Sequence, residues 1–159
     1  MLLVIGGCFQ GKLTYVMERQ KKQGRLLRKE EILDGEKLAS WLEGTEKSAG
    51  AAKKSRQQQI RAVNGLHRFV YQRIVEEKKE DEDRGLVEET VNICQAYLEE
   101  LLMENPDLTI ICDEVGYGVV PIQEKERCYR EAVGRLLCFL AQKADAMVRI
   151  VGGMPVRIK

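Results

Sequence analysis

Leu2-Leu3-Val4-Ile5-Gly6-Gly7-Cys8-Phe9-Gln10-Gly11-Lys12-Leu13 decides the reading of this chain: an apolar run, a glycine-bounded loop and a lysine, followed by helix-forming residues to position 20. Strand, glycine loop and helix in that order is the setting in which G-x-x-x-x-G-K cradles a phosphate. Glycines at both ends let successive backbone N–H groups turn inward on an anion. The helix N-terminus adds a favourable dipole, and Lys12 reaches the terminal phosphates. Gly6, Gly7, Cys8, Phe9, Gln10, Gly11, Lys12 and Leu13 are therefore the candidate nucleotide-binding residues, with Lys12 also catalytic. The pattern departs at one place, because Leu13 stands where Ser or Thr would present a hydroxyl to Mg²⁺. Thr14 does not replace it, since each helical residue is turned by roughly 100° from the last. The expectation is a loop that binds ATP or GTP with a weakened Mg²⁺ site. The bland alternative, a tight turn with no ligand, has the flanking strand and helix against it.

The chain has 159 residues, enough for one domain spanning 1–159 with a real core. Twenty-six basic and 25 acidic side chains give a net charge of +1, which points to no nucleic-acid partner. The local charge run over residues 76–84 reads as a solvated helix end and exposed loop. Five cysteines form no C-x-x-C and sit mostly in apolar runs, which suits reduced, buried thiols, and a single histidine argues against zinc. The first apolar run is too short for a signal peptide and no run reaches membrane-spanning length, so the expectation is a soluble, cytoplasmic protein without a membrane partner.

Periodicity predicts strands and helices in alternation. After the first pair, residues 25–28 read as a short second strand and 36–42 as a helix that Gly44 stops. Residues 48–55 read as a mobile loop, 59–63 as a strand, 66–75 and 86–103 as helices. Asn105-Pro106-Asp107 ends that last helix, 108–112 is the clearest buried strand, 123–143 a long helix, 146–151 a strand and 156–158 a short terminal one. Such alternation argues for an α/β fold with a mostly parallel sheet and helices on both faces. The strand at 108–112 runs into Asp113-Glu114, the form in which a nucleotidase strand presents one acid to Mg²⁺ and another to a nucleophile. Asp113 is the candidate metal ligand and Glu114 the second candidate catalytic residue. An ordinary strand with a capping acid is the competing reading.

Asp113-Glu114-Val115-Gly116-Tyr117-Gly118-Val119-Val120-Pro121, then Tyr129-Arg130-Glu131-Ala132-Val133-Gly134-Arg135-Leu136, then Ala144-Asp145, and finally Gly153-Met154-Pro155-Val156-Arg157-Ile158-Lys159 continue the pattern. Together with the opening glycine loop they resemble the adenosylcobinamide kinase / adenosylcobinamide-phosphate guanylyltransferase family of cobalamin biosynthesis, in order and in spacing. The resemblance covers residues 1–20 and 108–159 well, 60–105 weakly and 25–59 hardly at all. It implies a RecA-like P-loop fold, a homo-oligomer, a corrinoid substrate, a kinase step on its aminopropanol hydroxyl and a GMP transfer from GTP through a guanylylated histidine. Two departures matter. Asn64 aligns with the family's metal-binding acid at the end of a middle strand, whereas Asp113 stands where the family has Asn, as if a carboxylate had moved between strand ends. No histidine precedes His67, and His67 aligns with a family Thr, which makes it a helix-end contact rather than the nucleophile. The implied activity is phosphoryl transfer to adenosylcobinamide with the guanylyltransferase step lost. The alternative is a non-catalytic nucleotide- or corrinoid-binding relative.

Overall fold

The computed structural model describes residues 1–46, 59–76 and 85–159. The expected loop at 48–55 and most of the acidic run at 76–84 lie outside the described residues. Six strands form one sheet: β1 (Leu2–Gly6), β2 (Ile32–Asp34), β3 (Ala62–Asn64), β4 (Thr109–Asp113), β5 (Ala146–Val151) and β6 (Met154–Arg157), in the order β2-β3-β4-β1-β5-β6. All neighbours are parallel except β6, which returns antiparallel to β5. The helices are α1 (Lys12–Lys22), α2 (Leu38–Glu46), α3 (Leu66–Glu76), α4 (Leu86–Glu104) and α5 (Glu124–Lys143).

The period-two alternation of β1 sorts its side chains onto two cores. Leu3 and Ile5 join Val63, Ile110 and Cys112 under α2 to α5, where Phe69, Leu98, Leu136 and Leu140 are fully buried. Val4 joins Ala62, Ile111, Val148 and Ile150 on the other face, covered by Val16 of α1 and by Leu27. Each such aliphatic side chain, once buried, contributes on the order of 1.5–3 kcal/mol. Burial also pushes the Cys112 thiol up to about 12, so it packs as a small apolar group. Cys94 and Cys128 are buried too, while Cys8 and Cys138 are exposed, and none of the five is joined in a disulfide.

The structure corrects four element assignments, the first being the terminal strand, which runs Met154–Arg157 rather than 156–158. Residues 25–28 form no strand; the second strand is Ile32–Asp34, which pairs with β3 after a one-turn 3-10 helix at Lys29–Glu31. Gly44 does not stop α2, which continues to Glu46. The middle strand lies at Ala62–Asn64 rather than 59–63, so Asn64 is its last residue, in register with Asp34 of β2 and Ile111 of β4. Helices α3, α4 and α5 fall within a residue or two of the periodic pattern.

Candidate nucleotide-binding site

The parallel order puts the C-terminal ends of β1, β3 and β4 side by side, where such sheets gather ligands. Gly6, which ends β1, pairs in register with Asp113 at the end of β4. A Cβ on Gly6 would stand 2.5 Å from the Ile150 carbonyl oxygen, so only glycine lets the chain leave the sheet here. The loop then closes on Gly11, the N-cap of α1, in the left-handed region at φ 81°. No side chain caps α1 and no acid lies in its first turn, so its leading N–H groups remain available to an anion. Phe9 at the loop tip is fully exposed with φ 57°, a conformation that costs a non-glycine residue roughly 1–2 kcal/mol.

A cleft of about 370 Å³ lies over the loop, bounded by residues 8–14 on one side and by Asn64, His67, Arg68 and Asp113 on the other. Lys12 is nearly buried; its Nζ donates to the Gly7 carbonyl at 2.6 Å and pairs with Asp113 Oδ1 at 2.7 Å. The structure thus brings Lys12 and Asp113 together at the loop. Asn64 faces the same cleft with a neutral amide. The backbone N–H of Asp113 donates to His67 Nδ1 at 3.1 Å, and His67 Nε2 lies 3.9 Å from Asp113 Oδ2. With Nδ1 accepting, the proton of the neutral imidazole resides on Nε2. Burial holds the imidazole below its ordinary range, against the opposing pull of Asp113. Arg68 reaches Asp34 at 2.9 Å and Glu36 at 3.6 Å, tying the β2 end to α3.

Glu114 is placed differently from the sequence expectation. Its backbone N–H is bonded to the Gly6 carbonyl, but its carboxylate accepts from Arg149 Nε of β5 at 2.8 Å and does not line the cleft. Tyr117 donates to the other carboxylate oxygen at 3.4 Å and lies under the Arg149 guanidinium. The residues that sequence reasoning missed as site components are His67 and Arg68. The signal was their position just after Asn64-Gly65, at the start of a helix that follows a strand.

The donor set fits Mg²⁺ in one way. Leu13 offers no oxygen, Asn64 no charge, and no group of three or more His, Cys, Asp or Glu side chains converges among the described residues. Asp113 supplies one carboxylate, and Mg²⁺ commonly takes one or two carboxylates with the remaining positions filled by substrate phosphates and water.

Residues 36–158 match the model of the family described as cobinamide kinase / cobinamide phosphate guanyltransferase. The chain belongs to this family. Membership places it among the nucleotide-dependent transferases of cobalamin biosynthesis, and the six-stranded, mostly parallel sheet agrees with their P-loop fold. The glycine loop and Lys12 lie outside the matched residues, so the geometry at residues 6–13 is a separate observation that points the same way. A search of curated proteins gives no match. No helix among the described residues is long and apolar enough to cross a membrane.

Proposed function

We propose that this family member binds a nucleoside triphosphate over residues 6–13 and transfers its terminal phosphoryl group to the hydroxyl of adenosylcobinamide, without the covalent guanylyl-transfer step. The observation that carries the reading is the meeting of Lys12, the uncapped start of α1 and Asp113 in one cleft. Phosphoryl transfer asks a protein mainly for position and charge stabilisation. The first-turn N–H groups of α1 would hold the phosphate chain, and Lys12 would leave Asp113 to follow charge onto the departing oxygen. The acceptor oxygen forms the new bond to phosphorus as the bond to the leaving diphosphate breaks, and the hydroxyl proton passes to solvent or to a group in the cleft. Asp113 is the residue that would hold Mg²⁺, which when bound neutralises phosphate charge.

Loss of guanylyl transfer is supported by the chain's single histidine and by its tautomer. A phosphoramidate needs an imidazole nitrogen with a free lone pair. His67 Nδ1 is occupied as an acceptor and Nε2 carries the proton. Self-association is supported by exposed apolar side chains at Val151, Met154 and Val156 on the β5–β6 edge of the sheet, and at Val119 and Ile122 in the loop before α5.

The test is phosphoryl transfer from labelled ATP or GTP to adenosylcobinamide by the wild type and Lys12→Ala. Labelled product that the variant fails to form supports the reading. Tight nucleotide binding with no turnover would instead select the non-catalytic relative, a reading that Leu13 and the Glu114–Arg149 pair favour.

A further inference from the structure

A second groove, of about 560 Å³, runs from the phosphate cleft along the exposed face of α1 to the β5–β6 turn. Gly11 and Thr14 line both spaces, so the two are continuous. Its floor includes Tyr15, half-buried against the α1-side core, and its far wall is Gly153 and Pro155. That wall is fastened to the loop: the Gly152 N–H donates to the Gln10 side-chain oxygen. Glu18 and Arg19 project to the groove and make no side-chain hydrogen bond or ion pair with one another or with other described residues. Glu18 lies about 9 Å of helix beyond Lys12.

Resting on the nucleotide reading above, we propose that this groove takes the purine nucleoside of the nucleotide whose phosphates lie over residues 6–13, and that the Glu18 carboxylate selects guanine over adenine. The size suits a nucleoside, since small-molecule pockets run from roughly 300 to 1,000 Å³ with a mostly apolar lining and a few polar groups. Tyr15 and Pro155 supply flat apolar surface for a base. An ionised carboxylate is acceptor-only. Guanine offers it two donors on one edge, the ring N1–H and the exocyclic amino group, whereas adenine presents a ring nitrogen lone pair there. Arg19 is a donor-only partner suited to the guanine O6 and N7 acceptors. A site that reads a base by such donors rejects the analogue that lacks them, because its own polar groups are then left unpaired.

Binding of GDP, ADP and inorganic tripolyphosphate to the full chain, measured by calorimetry for the wild type, Glu18→Gln and Lys12→Ala, tests the assignment. The wild type is expected to favour GDP over ADP by about tenfold or more. Glu18→Gln is expected to bring GDP down to the ADP level while tripolyphosphate affinity stays unchanged, which also shows that the variant is folded. Equal wild-type affinities for GDP and ADP, or a preference that survives Glu18→Gln, overturn the groove assignment and leave the loop reading standing if Lys12→Ala loses tripolyphosphate. Tripolyphosphate binding that ignores Lys12→Ala overturns both.

Discussion

Lys12 Nζ stands 2.7 Å from Asp113 Oδ1, so the loop's lysine is held by the β4 carboxylate. A phosphate must compete with Asp113 for this cation. Lys12→Ala is expected to weaken nucleotide binding by roughly tenfold or more, the loss of a charge-assisted contact. Asp113→Asn should do two things at once: raise metal-free nucleotide affinity by releasing Lys12, and abolish the gain that Mg²⁺ gives. Titrations of both variants with and without Mg²⁺ check this. Full Mg²⁺ dependence in Asp113→Asn would remove that residue from metal handling.

Glu114 is committed to Arg149, a pair in which Arg149 is well exposed. Removing the Glu114 charge therefore resembles loss of a solvent-screened ion pair, with little change in stability. Glu114→Gln is expected to lower turnover by less than about tenfold, since removal of a true general base costs roughly 10²–10⁴. A drop in that larger range, with an unchanged melting temperature, would restore Glu114 to the chemistry.

His67 is held neutral by burial, so its folded pKa lies below the ordinary 6.5. As pH falls through about 6.5 the unfolded chain takes up the proton first, and the folded state loses stability until its own lower pKa is reached. Urea midpoints at about pH 8 and about pH 5 should thus fall further apart in the wild type than in His67→Gln. Incubation with labelled GTP should leave no acid-labile label on the protein. A label that His67→Ala removes would mean that this imidazole is the nucleophile after all.

Gly35 follows β2, and a Cβ there would stand 2.0 Å from the Gly65 carbonyl oxygen, which belongs to rigid backbone next to the cleft. Gly35→Ala is expected to destabilise the fold by about 1–3 kcal/mol or more, as overpacking does. Chemical denaturation measures it, and an unaltered midpoint would contradict the packing of β2 against the start of α3.

The parts legible in sequence were those with strong local chemistry. The apolar runs of β1 and β4 are buried on both faces, and the spacing of the glycine loop depends only on its own residues, so both could be read directly. Ile32-Leu33-Asp34 escaped notice because three residues carry no period, and only the pairing with β3 makes them a strand. Glu114 could not be placed, since its partner Arg149 is distant in sequence and meets it only across the sheet. His67 was readable as a helix-start residue, but its contact with Asp113 follows from β3 and β4 being neighbours, which is a property of the assembled sheet.

The strand that carries the phosphate loop takes both of its neighbours from far along the sequence. Leu2 pairs with Thr109 on one side and Ala146 on the other, so β1 gains one neighbour only with β4 and the second only with β5. Pairings this remote in sequence are slow to close and dominate the folding time of such topologies. A chain cut short of β4 therefore carries a glycine loop with neither flanking strand, and the loop's strand is held on both sides only when β5 has joined the sheet. From then on the bound ligand opposes unfolding by mass action.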